Sequence, residues 1–486
     1  MRILGALGPW RLAGLFLLGA ALQSAEQDGK KAAGKTRAGD WPMFGRDLAG
    51  THYNPDETAL TPASVSRLKP KWVFETEGDV SSQPAVVGGV VYFGSWDGHE
   101  YAVDSRSGKK LWAYDCGSPS RAGAAYSEGV VYFGDLSGRL YAVDADTGAL
   151  KWSERIDPHP RTVATSSPKV YRGRVYIGVA SHEEGEFLRR KDYACCTFRG
   201  GVAALDAATG KQIWRFYTVP EQAKKLGTDA AGREKWGPAG VAVWSTVGLD
   251  PAANRIYFST GNQYSGDDTP LVDSIVALTL DTGKLVWSHA ARPSDVFVIG
   301  CRDCGPDYDF GTTPFTFRGP GGKLLVGAGQ KSGWFHALER ETGKPAWSTE
   351  VGKGGALGGI EFGTATDGER VFAAQAHRQD GAVAMLDGAT GKVIWRTATP
   401  DKTPNYGPLI VTGRGDDRLV FAGSAGGFIR AYDARDGKVL WEFDTAGGIG
   451  GGPAVSGGVL YVGSGYTFLR VGKPNNKLYA FSLDGQ

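Results

Sequence analysis

The feature that most constrains this chain is a short pattern that recurs along it: an apolar strand-like stretch, a tight turn closing on glycine, and a tryptophan four residues after that glycine. Seven complete copies end at Trp112, Trp152, Trp214, Trp287, Trp347, Trp395 and Trp441, the second reading YAVDADTGALKW. An Asp followed by a Thr-Gly or Asp-Gly turn between two alternating apolar runs is a β-hairpin signal. Further strand signals between copies, such as Val90-Val-Tyr-Phe-Gly after Pro84-Ala-Val-Val, bring each unit to about four strands. Two partial copies complete the count. Leu478-Tyr-Ala-Phe-Ser-Leu-Asp-Gly485 stops before its tryptophan, and Trp72 stands without its preceding turn. Joined, these halves make an eighth unit. The expectation is an all-β, eight-bladed propeller whose ring is closed by N- and C-terminal strands sharing one blade, which removes exposed sheet edges. The fixed Gly-to-Trp spacing predicts that each of the eight tryptophans packs between blades and serves structure rather than chemistry.

Composition agrees with many short strands joined by turns: 73 of 486 residues are glycine, 11% are aromatic and 22% charged. The formal net charge is +2, with Lys and Arg scattered, so no basic stripe exists to neutralise a phosphate backbone, and nucleic acid is excluded as a partner. Residues 1–25 carry Arg2 and Arg11, an apolar run over 12–22, and small residues at Ser24 and Ala25, the layout of a secretory signal peptide, with a retained anchor as the alternative. Residues 26–39 read as a flexible linker and 40–486 as the propeller domain. No later segment is long and apolar enough to span a bilayer as a helix. A periplasmic or secreted location would put the five cysteines in an oxidising compartment. Cys301-Arg-Asp-Cys304 has half the spacing of a zinc site but no complementary pair, so a local disulfide is expected; Gly305 stands where haem attachment would need histidine.

The intervals Trp152 to Trp214, Trp214 to Trp287 and Trp287 to Trp347 exceed those of the first blades, so insertions, and functional residues with them, are expected in those loops. With its eight-fold ring and A-x-D-x-x-T-G-x-x-x-W repeat, the chain resembles the quinoprotein alcohol dehydrogenases that carry pyrroloquinoline quinone (PQQ). Within that family it is most similar to the polyvinyl alcohol dehydrogenases, through Trp41-Pro-Met-Phe-Gly, Tyr193-Ala-Cys-Cys-Thr-Phe-Arg-Gly, Ala242-Val-Trp-Ser and Asp307-Tyr-Asp-Phe-Gly. The resemblance covers nearly the whole chain after the signal peptide.

The resemblance implies a site. Glu183 in Gly178-Val-Ala-Ser-His-Glu-Glu, Asn262 closing Phe258-Ser-Thr-Gly-Asn, and Asp307 match residues that hold calcium, or in some relatives a lanthanide, through oxygen ligands; Glu184 is the alternative to Glu183. Asp307 matches the base that takes the hydroxyl proton of an alcohol, and Asp309 is the second candidate. Arg121 matches a binder of the cofactor carboxylates and Thr165 a hydroxyl donor to the same groups. Trp244, outside the repeat, matches the platform on which the quinone ring stacks, and Lys331 the cation that bonds the quinone oxygens.

Departures accompany the resemblance. Methanol dehydrogenases place two adjacent bonded cysteines just upstream of the arginine; here that place holds Asp115-Cys116, and the adjacent pair Cys195-Cys196 comes later, either bonded or as two thiols. No Cys-x-x-Cys-His occurs, so the cytochrome module of some relatives is missing and electrons would leave to a separate acceptor such as a cytochrome c. The leading expectation is a PQQ- and calcium-dependent oxidation of a secondary or polymeric alcohol. Its rivals are a non-catalytic propeller used as a binding scaffold, as in outer-membrane protein assembly, and a glycoside-active propeller using Glu183 or Glu184 with Asp307.

Overall fold

A computed structural model describes residues 36–486 apart from 191, 230, 231, 302 and 303, so the expected signal peptide and most of the linker lie outside the described residues. The ring has eight blades of antiparallel sheet, seven of them contiguous in sequence. In the eighth, the strand Leu68–Glu75 pairs along Lys477–Leu483, which continues the sheet to Val459–Ser464 and Ala454–Ser456. Chain closure is therefore as the two half-repeats require. In each blade the first strand is short and buried and the last is largely exposed, as Ala85–Val87 and Lys110–Asp115 illustrate, so the first lines the axis and the last forms the rim.

The repeat has a physical reason. In seven consecutive pairs the turn glycine sits on the tryptophan of the preceding blade: a Cβ at Gly108, Gly148, Gly210, Gly283, Gly343, Gly391 or Gly437 would fall 2.5–2.8 Å from the indole. These glycines also hold φ between 66° and 73°, a left-handed conformation that disfavours any side chain. The indole N–H groups of Trp72, Trp112, Trp152, Trp287, Trp347, Trp395 and Trp441 donate at 2.9–3.1 Å to carbonyls in the following blade. Trp214 alone among the eight leaves its N–H without a partner among the described residues. The spacing is thus an inter-blade staple.

Residues 41–54 run round the axis beneath the inner strands. Trp41 pairs with Val86, the carbonyl of Pro42 accepts from Tyr126 N–H, that of Leu48 from Leu249 and that of His52 from Val411. Buried Lys169 donates to the carbonyls of Phe44 and Asp47. This segment closes one end of the central channel. The loops that enter the inner strands surround the other end. Among the described residues no helix is long and apolar enough to cross a membrane.

Candidate active site

In four of the eight blades the residue four positions ahead of the inner strand lies on the loop that reaches the axis. Arg121, Thr165, Trp244 and Tyr406 hold this place before the strands that open at Ala125, Lys169, Gly248 and Ile410, and all four line one cleft. Asn262, Lys331 and Asp309 join them, so five residues singled out by resemblance, Arg121, Thr165, Trp244, Asn262 and Lys331, meet there together with the second-choice Asp309 only because the inserted loops of the third to fifth blades fold inward. Counting its open mouth, the cleft encloses about 1090 Å³ of space.

Asp309 is the hub. Its Oδ1 accepts the backbone N–H of Asn262 at 2.6 Å; its Oδ2 accepts Trp244 Nε1 at 3.1 Å and Lys331 Nζ at 2.9 Å. Gly261 makes this approach possible, since a Cβ there would lie 2.8 Å from Asp309 Oδ1, and Gly311 does the same beneath the Trp244 ring. Lys331 also donates to Asp307 Oδ1 at 3.0 Å and sits 5.5 Å from the Trp244 ring centroid. Two carboxylates hold its pKa well above the ordinary lysine value in spite of burial, so it is a fixed cation.

Two residues expected at the site stand off the cleft. The carboxylate of Glu183 is wholly buried and taken up by Tyr193 Oη at 3.0 Å, Thr197 N–H at 2.9 and 3.0 Å, and Phe198 N–H at 2.8 Å. Its neighbour Glu184 lines the cleft instead, with no hydrogen-bond partner for its side chain among the described residues. Asp307 lies behind Lys331 rather than on the cleft wall, at φ 61°, with its N–H directed at Asp295 Oδ1 at 3.4 Å. Burial pushes the Asp307 carboxyl up to about 7, against the pull of Lys331.

The cleft collects acid. Burial, reinforced by Asp307 and Asp309, pushes Glu184 up to about 8, and burial does the same for Glu361, whose Oε1 is unpartnered. Glu184, Asp307, Asp309 and Glu361 thus face one ammonium, Lys331, an arrangement that favours an added cation. Asn262 spends its amide nitrogen on the carbonyls of Gln263 and Phe297, at 2.9 and 2.7 Å, which leaves Oδ1 for the cleft. Among the described residues no group of three or more His, Cys, Asp or Glu side chains is arranged to hold a metal ion by itself. Three carboxylates, of Glu184, Asp309 and Glu361, line the cleft with the Asn262 amide; Glu184, Asp309 and Asn262 offer oxygen donors that suit a hard cation completed by a bound ligand.

The opposite wall is aromatic and was not legible in the sequence. Arg121 lies 4.8 Å from the Phe468 ring and 5.9 Å from those of Phe362 and Tyr466, and no carboxylate among the described residues pairs with it. Phe362 meets the Trp244 ring edge-on at 5.4 Å. Thr165 Oγ1 donates to the Trp244 backbone carbonyl at 3.2 Å, tying the loop that carries the indole to the third blade. A planar ring system bearing carboxylates matches this donor set: a flat aromatic face, an arginine free of acids, and a lysine at the far edge. Both cysteine pairs are disulfides, Cys195–Cys196 and Cys301–Cys304, and Cys116 is free.

Comparison with known proteins agrees with this picture. Residues 41–353 match the family described as the glucose/ethanol/alcohol dehydrogenase β-propeller domain of the PQQ proteins, and residues 425–482 match the repeat of the outer membrane protein assembly factor BamB. The chain is 32% identical to a polyvinylalcohol dehydrogenase of a Pseudomonas species over 94% of this chain and 80% of that protein. It is 33% identical to another from a Sphingopyxis strain over 88% and 74%. The crystal structure of the quinohemoprotein alcohol dehydrogenase from Comamonas testosteroni shares the fold, with a TM-score of 0.74 and 23% identity over 96% of this chain and 85% of that one. The chain belongs to the PQQ-dependent alcohol dehydrogenase family.

Proposed function

We propose that the protein is an exported quinoprotein that oxidises an alcohol, with PQQ and a calcium ion in the axial cleft and Asp309 as the base. The observation that carries this reading is the meeting of Glu184, Asn262, Asp309 and Lys331 beside Trp244 on one aromatic-walled cleft. PQQ, when bound, supplies the two-electron acceptor that takes hydride from the carbinol carbon. Trp244 would carry its flat face, Arg121 and Thr165 its carboxylates, and Lys331 its reactive edge. Glu184, Asn262 Oδ1 and Asp309 would hold the cation; a lanthanide fits the same oxygen donors.

The chain's own groups then have defined tasks. Three donated hydrogen bonds fix the Asp309 carboxylate in one orientation, so a substrate hydroxyl on the cleft side meets an acceptor already in place. When Asp309 takes the hydroxyl proton, Lys331 keeps Asp307 as its counter-ion and is not left as a lone buried charge. Asp307 serves here as partner to Lys331 rather than as base or ligand, and Glu183 is not a ligand. The apolar side chains of Val163, Leu357, Ile299 and Val471 line the rest of the cleft, which excludes water and accepts the carbon portion of a secondary alcohol, including a unit of a polymer. Electrons would leave to a separate acceptor such as a cytochrome c.

The test is dye reduction by the purified protein loaded with PQQ and calcium chloride across primary, secondary and polymeric alcohols, beside Asp309→Asn and Asp307→Asn. Turnover that survives in Asp309→Asn but fails in Asp307→Asn would move the base to Asp307. Neither cofactor binding nor turnover in the unmodified protein would favour the scaffold reading, for which the match of residues 425–482 to BamB is the specific observation.

A further inference from the structure

Glu183 holds no place in the chemistry above, yet a buried carboxylate with this many donors is not incidental. Besides Tyr193 Oη and the N–H groups of Thr197 and Phe198, Thr197 Oγ1 reaches it at 3.3 Å and His159 Nε2 at 3.6 Å. Glu183 is the first residue of the helix Glu183–Arg189, and Glu184, Gly185 and Arg189 of that helix face the cleft. Successive helical residues point about 100° apart. Fixing the Glu183 side chain therefore sets the rotation of the helix and decides that Glu184 faces the axis.

The donors come from one segment. Thr197 and Phe198 directly follow the bonded pair Cys195–Cys196, and that pair is docked on a neighbouring strand: Cys195 N–H donates to Glu234 O at 3.2 Å, Cys196 N–H to Trp236 O at 3.1 Å, and Trp236 N–H to Cys195 O at 2.7 Å. The covalent link between adjacent side chains limits the backbone just ahead of the two N–H groups, so both meet a single carboxylate. We propose that Glu183 is a positioning residue for the cation site, and that the bonded Cys195–Cys196 segment is the clamp that holds Glu183 and thereby aims Glu184 into the cleft. This inference rests on Glu184 as a ligand, as proposed above.

Calcium chloride titrated calorimetrically into protein preloaded with PQQ tests it, using Glu183→Gln, Cys195→Ala/Cys196→Ala, the combination of both, and Glu184→Gln as the reference. Loss of an outer partner of a ligand weakens metal binding about 10–100-fold. The expected result is a loss of about tenfold or more in calcium affinity for Glu183→Gln and for the cysteine variant, with the combined variant no weaker than the weaker of the two. A merely structural role would lower the melting temperature and leave the affinity of the folded protein unchanged, which would overturn the proposal. Where Glu183→Gln does not fold, Tyr193→Phe, which removes one donor and no charge, takes its place with the same two outcomes. If Glu184→Gln binds calcium like the unmodified protein, the ligand reading itself fails; if it alone loses calcium while the others stay within about twofold, only the clamp fails.

Discussion

The rim and the axis of this ring are built by opposite rules. At the rim one device is repeated: a left-handed glycine lies on the indole of the preceding blade, and the indole N–H bonds the next turn. At the axis the loops that build the cleft differ from one another. The positions four residues ahead of the inner strands hold Arg121, Thr165, Trp244 and Tyr406, each chemically distinct, and inserted loops add Glu184, Asn262 and Asp309. Repetition at the rim supplies stability through apolar contact and, at seven of the eight tryptophans, an indole hydrogen bond, whereas the axis collects buried charge that costs stability and gives chemistry. Substitutions in the two regions should therefore separate stability from activity.

The largest effect is expected at the axis. Asp309→Asn keeps the shape but not the basicity of the hub, and kcat should fall about 10²–10⁴-fold, with a melting temperature that does not drop. A thermal scan beside steady-state kinetics reads both. At the rim, Trp395→Ala should cost about 3–5 kcal/mol in denaturant unfolding and leave kcat of the folded enzyme as it was; a large kcat loss would erase the contrast. Gly283→Ala puts a Cβ 2.5 Å from the Trp214 indole at φ 66° and should cost about 2 kcal/mol.

Two smaller effects sharpen the comparison. The Trp395 indole donates to the Ala434 carbonyl at 3.1 Å and that of Trp214 to nothing described, so Trp395→Phe should destabilise by about 1 kcal/mol more than Trp214→Phe in equilibrium unfolding. Glu100 is a buried acid away from the cleft, with Oε1 unpartnered and Ser120 Oγ at 3.3 Å from Oε2; burial raises its pKa well above the ordinary glutamate value. A raised carboxyl pKa means the folded state keeps a proton that the unfolded chain releases. The resulting stability is whole below the unfolded value of about 4.5 and is lost as pH rises toward the folded value. Glu100→Gln has no such loss, so its melting temperature should gain on the unmodified protein from pH 5 to pH 8; parallel pH curves would contradict this.

The same contrast explains what could be read from the sequence. The rim is legible because a periodic contact leaves a periodic trace: the Gly-to-Trp spacing recurs, and the half-repeats at Trp72 and Leu478 point to the shared blade. Arg121, Thr165, Trp244, Asn262 and Lys331 were nameable from local motifs, and the structure brings them to one cleft. Adjacent or near-adjacent alternatives were not separable. Whether Glu183 or Glu184 faces the axis depends on the phase of a seven-residue helix, and whether Asp307 or Asp309 does depends on a left-handed turn at Asp307; neither has a compositional sign. The wall of Glu361, Phe362, Tyr466 and Phe468 comes from loops of the later blades that carry no charged motif, so only the ring itself reveals it.

The proposed chemistry turns on a cation held between Glu184, Asn262 and Asp309 beside the Trp244 ring. An anomalous-difference map from crystals grown with PQQ and a lanthanide in place of calcium tests it most directly. One strong peak is expected among those three side chains, with the cofactor ring over Trp244. A peak at Glu183 or elsewhere, or a cleft that binds PQQ with no metal peak, would contradict it.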